Sequence, residues 1–181
     1  MTSSPSRQAT DRLDFEALYQ QHSREVWAFV YARHLNADLA LDLMQEAFLR
    51  LWRQVEQGET ILNARAWLLK VAHNLAEDHA KSAFTRNGTL APQLMNGVHS
   101  REAPPLENLV QQEAYLQVRN LLEQLSAADR EILTLRYALD YSTPQIAEAL
   151  SINATAVHMR LSRARQRMAD KLASIGVNQV S

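Results

Sequence analysis

Apolar side chains recur along this chain at helical rather than strand spacing, and the polar positions between them mark where each helix should begin and end. Phe15, Leu18, Tyr19, Val26, Phe29 and Val30 form one stripe, predicting a first helix from about Leu13. Asn36-Ala37-Asp38 interrupts it. A second stripe of Ala40, Met44, Ala47, Phe48 and Leu51 predicts a helix to about Val55, followed by a loop at Gln57 to Thr60. Trp67, Val71, Leu75 and Ala76 predict a third helix over Ala64 to Ala83, with Trp67 as core. No period-2 segment bounded by hairpin turns interrupts the pattern. The expected fold class is all-α.

The pattern fades over residues 84–112, where Gly88, Gly97, Pro92, Pro104 and Pro105 cluster, and this segment is expected to be a flexible linker. A coil of that length would hold its ends roughly 30 Å apart, so two small helical domains, 13–83 and 113–173, could sit at separate places on one large target. Residues 1–12 and 174–181 are expected to be tails. Periodicity resumes with Leu116, Leu121, Leu122 and Leu125. Ser126 can cap the next helix, and Asp129 and Glu131 suit its positive end. Ile132, Leu133, Leu135 and Tyr137 follow, and Ala138 to Tyr141 connect to the next element.

Ser142 and Gln145 have the spacing of a capping box, and Pro144 is tolerated in a first helical turn. Ile146, Ala147 and Leu150 face inward, and small Ala147 admits a close neighbour. After Ser151-Ile152-Asn153 a long helix begins at Ala154, with Val157, Leu161, Ala164 and Met168 inward. Two short-linked helices of this kind form a helix-turn-helix, whose second helix reads base edges with its N-terminal residues. Thr155, His158, Met159, Ser162 and either Arg165 or Gln166 share its outer face, and Arg160, Arg163, Arg167 and Lys171 form a flank.

Charge sharpens this picture. The chain carries a net charge of −1, yet residues 154–171 hold five basic residues and one acid, leaving 14 basic and 19 acidic residues elsewhere. Positive charge is therefore gathered on the last helix, and the whole chain should bind DNA poorly alone. The 46% hydrophobic content fits a folded protein, and the absence of cysteine excludes disulfides, thiol nucleophiles and cysteine-ligated metals. No apolar run is long enough to span a bilayer and the N-terminus lacks a signal-peptide core, so a soluble intracellular protein is expected. His73 and Glu77 lie one helical turn apart, but His79 falls about 200° around the helix from Glu77, so no metal triad converges. No phosphate loop or nucleophile elbow is present, and no catalysis, cofactor or small-molecule substrate is expected.

Three segments in order resemble one family. Asp42-Leu43-Met44-Gln45-Glu46-Ala47-Phe48-Leu49-Arg50-Leu51-Trp52 is similar to the core-polymerase-binding motif of bacterial RNA polymerase sigma factors of the extracytoplasmic-function class. Ala66 to His79 is similar to that family's promoter-melting segment. Leu125 to Arg136, Ile146-Ala147 and Arg160 to Arg165 are similar to its helix-turn-helix domain. The resemblance implies that Asp42, Gln45 and Glu46 bind core polymerase. It implies that Asn74, Asp78 and Lys81 lie at the melted minus-ten element, with the Gln57–Asn63 loop capturing a base. Thr155, His158, Met159, Arg160, Ser162, Arg163 and Arg165 would then meet the minus-thirty-five element. It further implies cytoplasmic location, with an anti-sigma factor able to hold the protein at the inner membrane.

Two features depart from the family. The usual arginine-rich run after Asp78 is replaced here by His79 to Arg86, with two full cations, and residues 13–82 hold seven basic and ten acidic residues. In the last helix, Ala156, His158 and Met159 stand where threonine, lysine and serine are common in the family. A dimeric helix-turn-helix regulator would differ from this reading in binding a palindrome without polymerase.

Overall fold

The computed structural model describes residues 14–87 and 120–174, which form helices and the turns between them. The expected tail at 1–12, residues 175–181 of the other, residues 88–112 of the expected linker and the start of the expected second domain with Leu116 fall outside the described residues, whereas 84–87, expected in the linker, continue the third helix, and Ser174 ends the last one.

Helix α1 spans Phe15–His34, and its N-cap Asp14 accepts a hydrogen bond from the Ala17 amide. It ends where Leu35 enters the left-handed region at φ 51°, its amide donating to Tyr31 O. Asn36 then caps α2, Ala37–Glu56, accepting from the Leu39 amide at 3.0 Å. The residue that breaks one apolar stripe is thus the residue that starts the next helix. After α2 the chain turns at Gly58, where φ is +82° and only glycine is unstrained. Asn63 caps α3, Ala64–Asn87, through the Ala66 amide.

The three helices bury Val26, Phe29 and Val30 of α1, Met44, Phe48 and Leu51 of α2, and Leu68, Leu69 and Ala72 of α3 in one core. Trp67 packs partly buried against it, as its spacing predicts. Phe15 bridges the edge of this core, with ring centroids 6.0 Å from Phe48 and 5.2 Å from Trp52.

Residues 120–123 are helical and lead through Ser126, which caps α4, Ala127–Leu133, at the Asp129 amide. A π-helical turn, Thr134–Ala138, follows and is closed by Leu139 N donating to Thr134 O at 3.0 Å. Helical periodicity does not distinguish such a turn from the end of α4. Helix α5, Thr143–Leu150, starts at Ser142, whose amide donates to Gln145 Oε1 at 2.9 Å. Ser151 makes the left-handed turn (φ 53°), and Asn153 accepts from the Ala156 amide at 2.7 Å to begin α6, Ala154–Ser174.

The two bundles do not stand apart. Helix α4 packs on α1 and α5 packs on α3, so the apolar cores on either side belong to one continuous cluster.

Candidate polymerase and promoter interfaces

The outward face of α2 carries Asp42 and Gln45 exposed and Glu46 partly so, Glu46 accepting from Arg50 Nε at 2.8 Å. The same helix exposes three large apolar side chains, Leu41, Leu49 and Trp52, each between 43% and 45% accessible. Leu41, Gln45, Leu49 and Trp52 fall at i, i+4, i+8 and i+11, one side of a helix. This face is therefore mixed, an apolar strip edged by acid and amide, rather than purely acidic. Its i, i+4, i+8 spacing lies in the sequence beside the stronger inward stripe of the same helix, and only burial separates the two.

On α3, Asn74, Asp78 and Lys81 are exposed at i, i+4 and i+7 and share a face with Lys70. Glu77, one turn from His73, is only partly exposed. Its carboxylate is held by Arg33 of α1 and lies 3.6 Å from Lys81 Nζ. Burial opposes ionisation of Glu77, but the Arg33 charge, with His73 and Lys81, holds its carboxyl below the ordinary range. In the loop preceding α3, Leu62 is 96% accessible.

On α6, Thr155, His158, Met159, Arg160, Ser162, Arg163 and Arg165 are all exposed. The cations divide between two sides. Arg160 and Arg163, with Arg167, line a cavity of about 430 Å³ shared with Arg33, His73 and Glu77 of the first bundle. Arg165 instead borders an apolar groove of about 580 Å³ floored by Leu133, Tyr137, Met168 and Leu172. Arg167 is not simply a flank cation, because its Nε and Nη2 clasp both Asp129 carboxylate oxygens, at 2.7 and 2.9 Å. Burial works to raise the Asp129 carboxyl, and the Arg167 and Ser126 hydrogen bonds overcome it, so it sits below its ordinary value. This clasp ties α6 to α4.

The residues that join the bundles carry no local signature. Glu131, with a side chain 2% accessible, accepts from Arg33 Nη1 at 3.0 Å and meets His73 Nδ1 at 2.8 Å. Its neighbour Arg130 crosses the same boundary, Nε donating to Ala32 O at 2.5 Å and Nη2 to Arg33 O at 2.7 Å. These are carbonyls of the last turn of α1, which have no partner within the helix and carry the negative end of its dipole. At the other end of the boundary, Arg65 of α3 donates to Glu25 and to Leu139 O, and lies 4.0 Å over the Tyr141 ring. Burial opposes ionisation of Glu25, and Arg65 reverses that, lowering its carboxyl.

An all-helical chain that presents a basic helix-turn-helix and, on a separate bundle, a mixed docking face has the parts of a DNA-binding initiation subunit. Comparison makes the class specific. The Sigma-70 region 2 family model matches residues 18–84 and the Sigma-70 region 4 model matches residues 115–168. The extracytoplasmic-function sigma factor SigL of Mycobacterium tuberculosis is 33% identical over 164 residues, covering 90% of this chain and 91% of the relative. SigX of Bacillus subtilis is 24% identical over 150 residues, 79% of this chain and 75% of that protein. Among solved structures, the sigma factor RpoE of Bartonella quintana, determined with the anti-sigma factor NepR, superposes with a TM-score of 0.68 at 24% identity, covering 88% of this chain and 97% of RpoE. CnrH, determined with the cytosolic domain of CnrY, gives 0.58 at 18% identity, covering 88% of each chain. The chain belongs to the extracytoplasmic-function class of sigma-70 family RNA polymerase sigma factors, and directs promoter-specific initiation of transcription.

Proposed function

We propose that the chain works as a bridge whose three faces divide the labour. The α2 face docks on core polymerase through Asp42, Gln45 and Glu46, with Leu41, Leu49 and Trp52 supplying apolar contact. Asn74, Asp78 and Lys81 meet the minus-ten element, where amide and charged groups can hydrogen-bond the edges of unstacked bases. Leu62 is the wedge of the capturing loop. Helix α6 enters the major groove at the minus-thirty-five element, Thr155, His158, Met159 and Ser162 facing base edges and Arg160, Arg163 and Arg165 the phosphates.

The observation that carries this reading is the segregation of charge and exposure. Five cations lie along α6, whereas the outward face of α2 sets Asp42, Gln45 and Glu46 beside exposed Leu41, Leu49 and Trp52, with Arg50 and Arg53 further along the helix, a mixed surface that suits a protein partner better than DNA. The bound polymerase then supplies much of the DNA affinity and this subunit supplies sequence choice. The protein acts by binding and not by catalysis, in the cytoplasm. No helix among the described residues is long and apolar enough to cross a membrane. An anti-sigma factor, as found with RpoE and CnrH, would hold it inactive, at the inner membrane where that factor is itself anchored.

Run-off transcription with core enzyme tests the docking face. The Gln45→Ala, Glu46→Ala double variant should lose most transcript while keeping its fold, because both side chains point away from the core. Full activity of that variant would remove these residues from the docking site.

A further inference from the structure

Helix α6 is gripped by its own domain along a narrow strip. Of its 21 residues only Val157, Leu161 and Ala164 are buried, and beyond Ala164 the apolar Met168 and Leu172 are only partly so. The three buried positions fall within about 60° of one another around the helix axis, at about 100° per residue. A strip so narrow resists lifting of the helix better than rolling about its axis. Thr155, His158, Met159 and Ser162 stand on the far side, so a roll carries all four sideways together. A roll of about 20° moves a side-chain tip about 6 Å from the axis by roughly 2 Å, enough to break a hydrogen bond to a base edge.

We propose that Asp129 and Arg167 are positioning residues for promoter recognition: their clasp sets the roll of α6, and so which base edges its outer face meets, while Arg167 itself touches no phosphate. This rests on the reading of α6 as the minus-thirty-five helix given above. Arg167 projects about 90° to one side of the buried strip, where a tether opposes rolling most effectively. Its grip is a planar fork, Nε and Nη2 each donating to one Asp129 oxygen at 2.7 and 2.9 Å, which fixes direction as well as distance. The anchor is firm, since the Asp129 side chain is only 6% accessible and its amide donates to the Ser126 hydroxyl at 3.1 Å. Asp170, the nearest rival acid along α6, accepts instead from Gln166 Nε2 at 2.8 Å. Arg167 also borders two cavities, of about 450 and 430 Å³, so the fork and not close packing holds its guanidinium in place.

The test compares full-length variants as holoenzymes on promoter fragments that differ by single base pairs in the minus-thirty-five element, at several salt concentrations. A changed base pair costs a specific reader about 5- to 150-fold in affinity. Arg167→Lys keeps the charge and loses the fork. In that variant the factor should fall about fivefold at several positions together, with the slope of log affinity against log salt unchanged. Arg163→Ala should do the reverse, lowering the slope by about 1 and keeping the preferences. Arg167→Gln alone would leave the Asp129 carboxylate buried without a counter-charge, so the neutral pair Asp129→Asn, Arg167→Gln gives the second measure. It should lose the same preferences at the wild-type salt slope. A slope lowered by about 1 in this double variant makes Arg167 a phosphate contact and overturns the proposal. Preferences kept in either variant overturn it as well, and if one of the two does not fold the other decides. If the wild-type holoenzyme does not distinguish the fragments at all, the reading of α6 itself fails, and the positioning role falls with it.

Discussion

Arg33 of α1 donates to Glu131 of α4 at 3.0 Å, although the two residues stand 98 positions apart. Glu131 is almost fully enclosed, and its carboxylate oxygens meet Arg33 and His73. Removing one partner of a buried pair costs more than the pair itself contributes, because a charge is left without compensation. Arg33→Ala should therefore lower unfolding stability by about 3 kcal/mol. Glu131→Gln should cost less, since a neutral amide needs no counter-charge. Urea denaturation of the two variants compares them, and equal losses would show that the enclosed charge is not what matters.

His34 gives the fold an acid limit. It ends α1, and its ring meets His79 edge-on at 5.6 Å. Burial, the adjacent Arg33 charge and His79 push its pKa from 6.5 down to about 4, against a weaker opposing contact from Ala76. The folded state thus binds this proton less well than the unfolded chain. The stability it contributes is complete above pH 6.5 and is lost as pH falls from 6.5 toward 4. Between pH 8 and pH 5 the wild type should lose up to about 2 kcal/mol through this group. His34→Gln should show a flatter profile over the same interval in chemical denaturation at each pH. Parallel profiles would remove His34 from the acid response.

The apolar strip on α2 should matter to polymerase binding as much as its polar edge. Leu49 is 43% accessible, so Leu49→Ala should leave the fold nearly intact. At an interface centre the same truncation costs about 1–2 kcal/mol, a five- to thirtyfold weaker complex. Titration of labelled protein with core enzyme measures it, and unchanged affinity would confine docking to Asp42, Gln45 and Glu46.

On α6, phosphate and base contacts should separate by salt and by sequence. Arg163→Ala should weaken holoenzyme binding to all promoters alike and reduce the slope of log affinity against log salt by about 1. Met159→Ala should leave the slope alone and change which minus-thirty-five sequence is preferred. Binding to a panel of promoter fragments at several salt concentrations distinguishes them. A salt slope that moves with Met159 instead would reverse the assignment.

Helices and their starts were legible because their causes are local. The inward stripe of α2 lies within four turns, and the caps Ser126 and Asn153 act on amides three residues ahead. The first-turn acid Asp129 does cap-end work as the pattern suggests, but its main partner is Arg167, 38 residues on. Glu77 likewise has its partner in Arg33, 44 residues back, which no local pattern announces. The π-helical turn at Thr134–Ala138 has no signature of its own in the sequence, because the register shift it brings coincides with the end of the helix it follows.

The order of residues alone determined that this chain is helical, where most helices begin, which helix carries the positive charge, and to which family it belongs. Each follows from interactions within a few turns or from motifs read in place. Only the tertiary structure decided that the two bundles close on each other and which charges hold them. Whether Glu131 meets solvent or Arg33 depends on how α4 sits on α1, and that placement is set by the pooled burial of side chains from both ends of the chain.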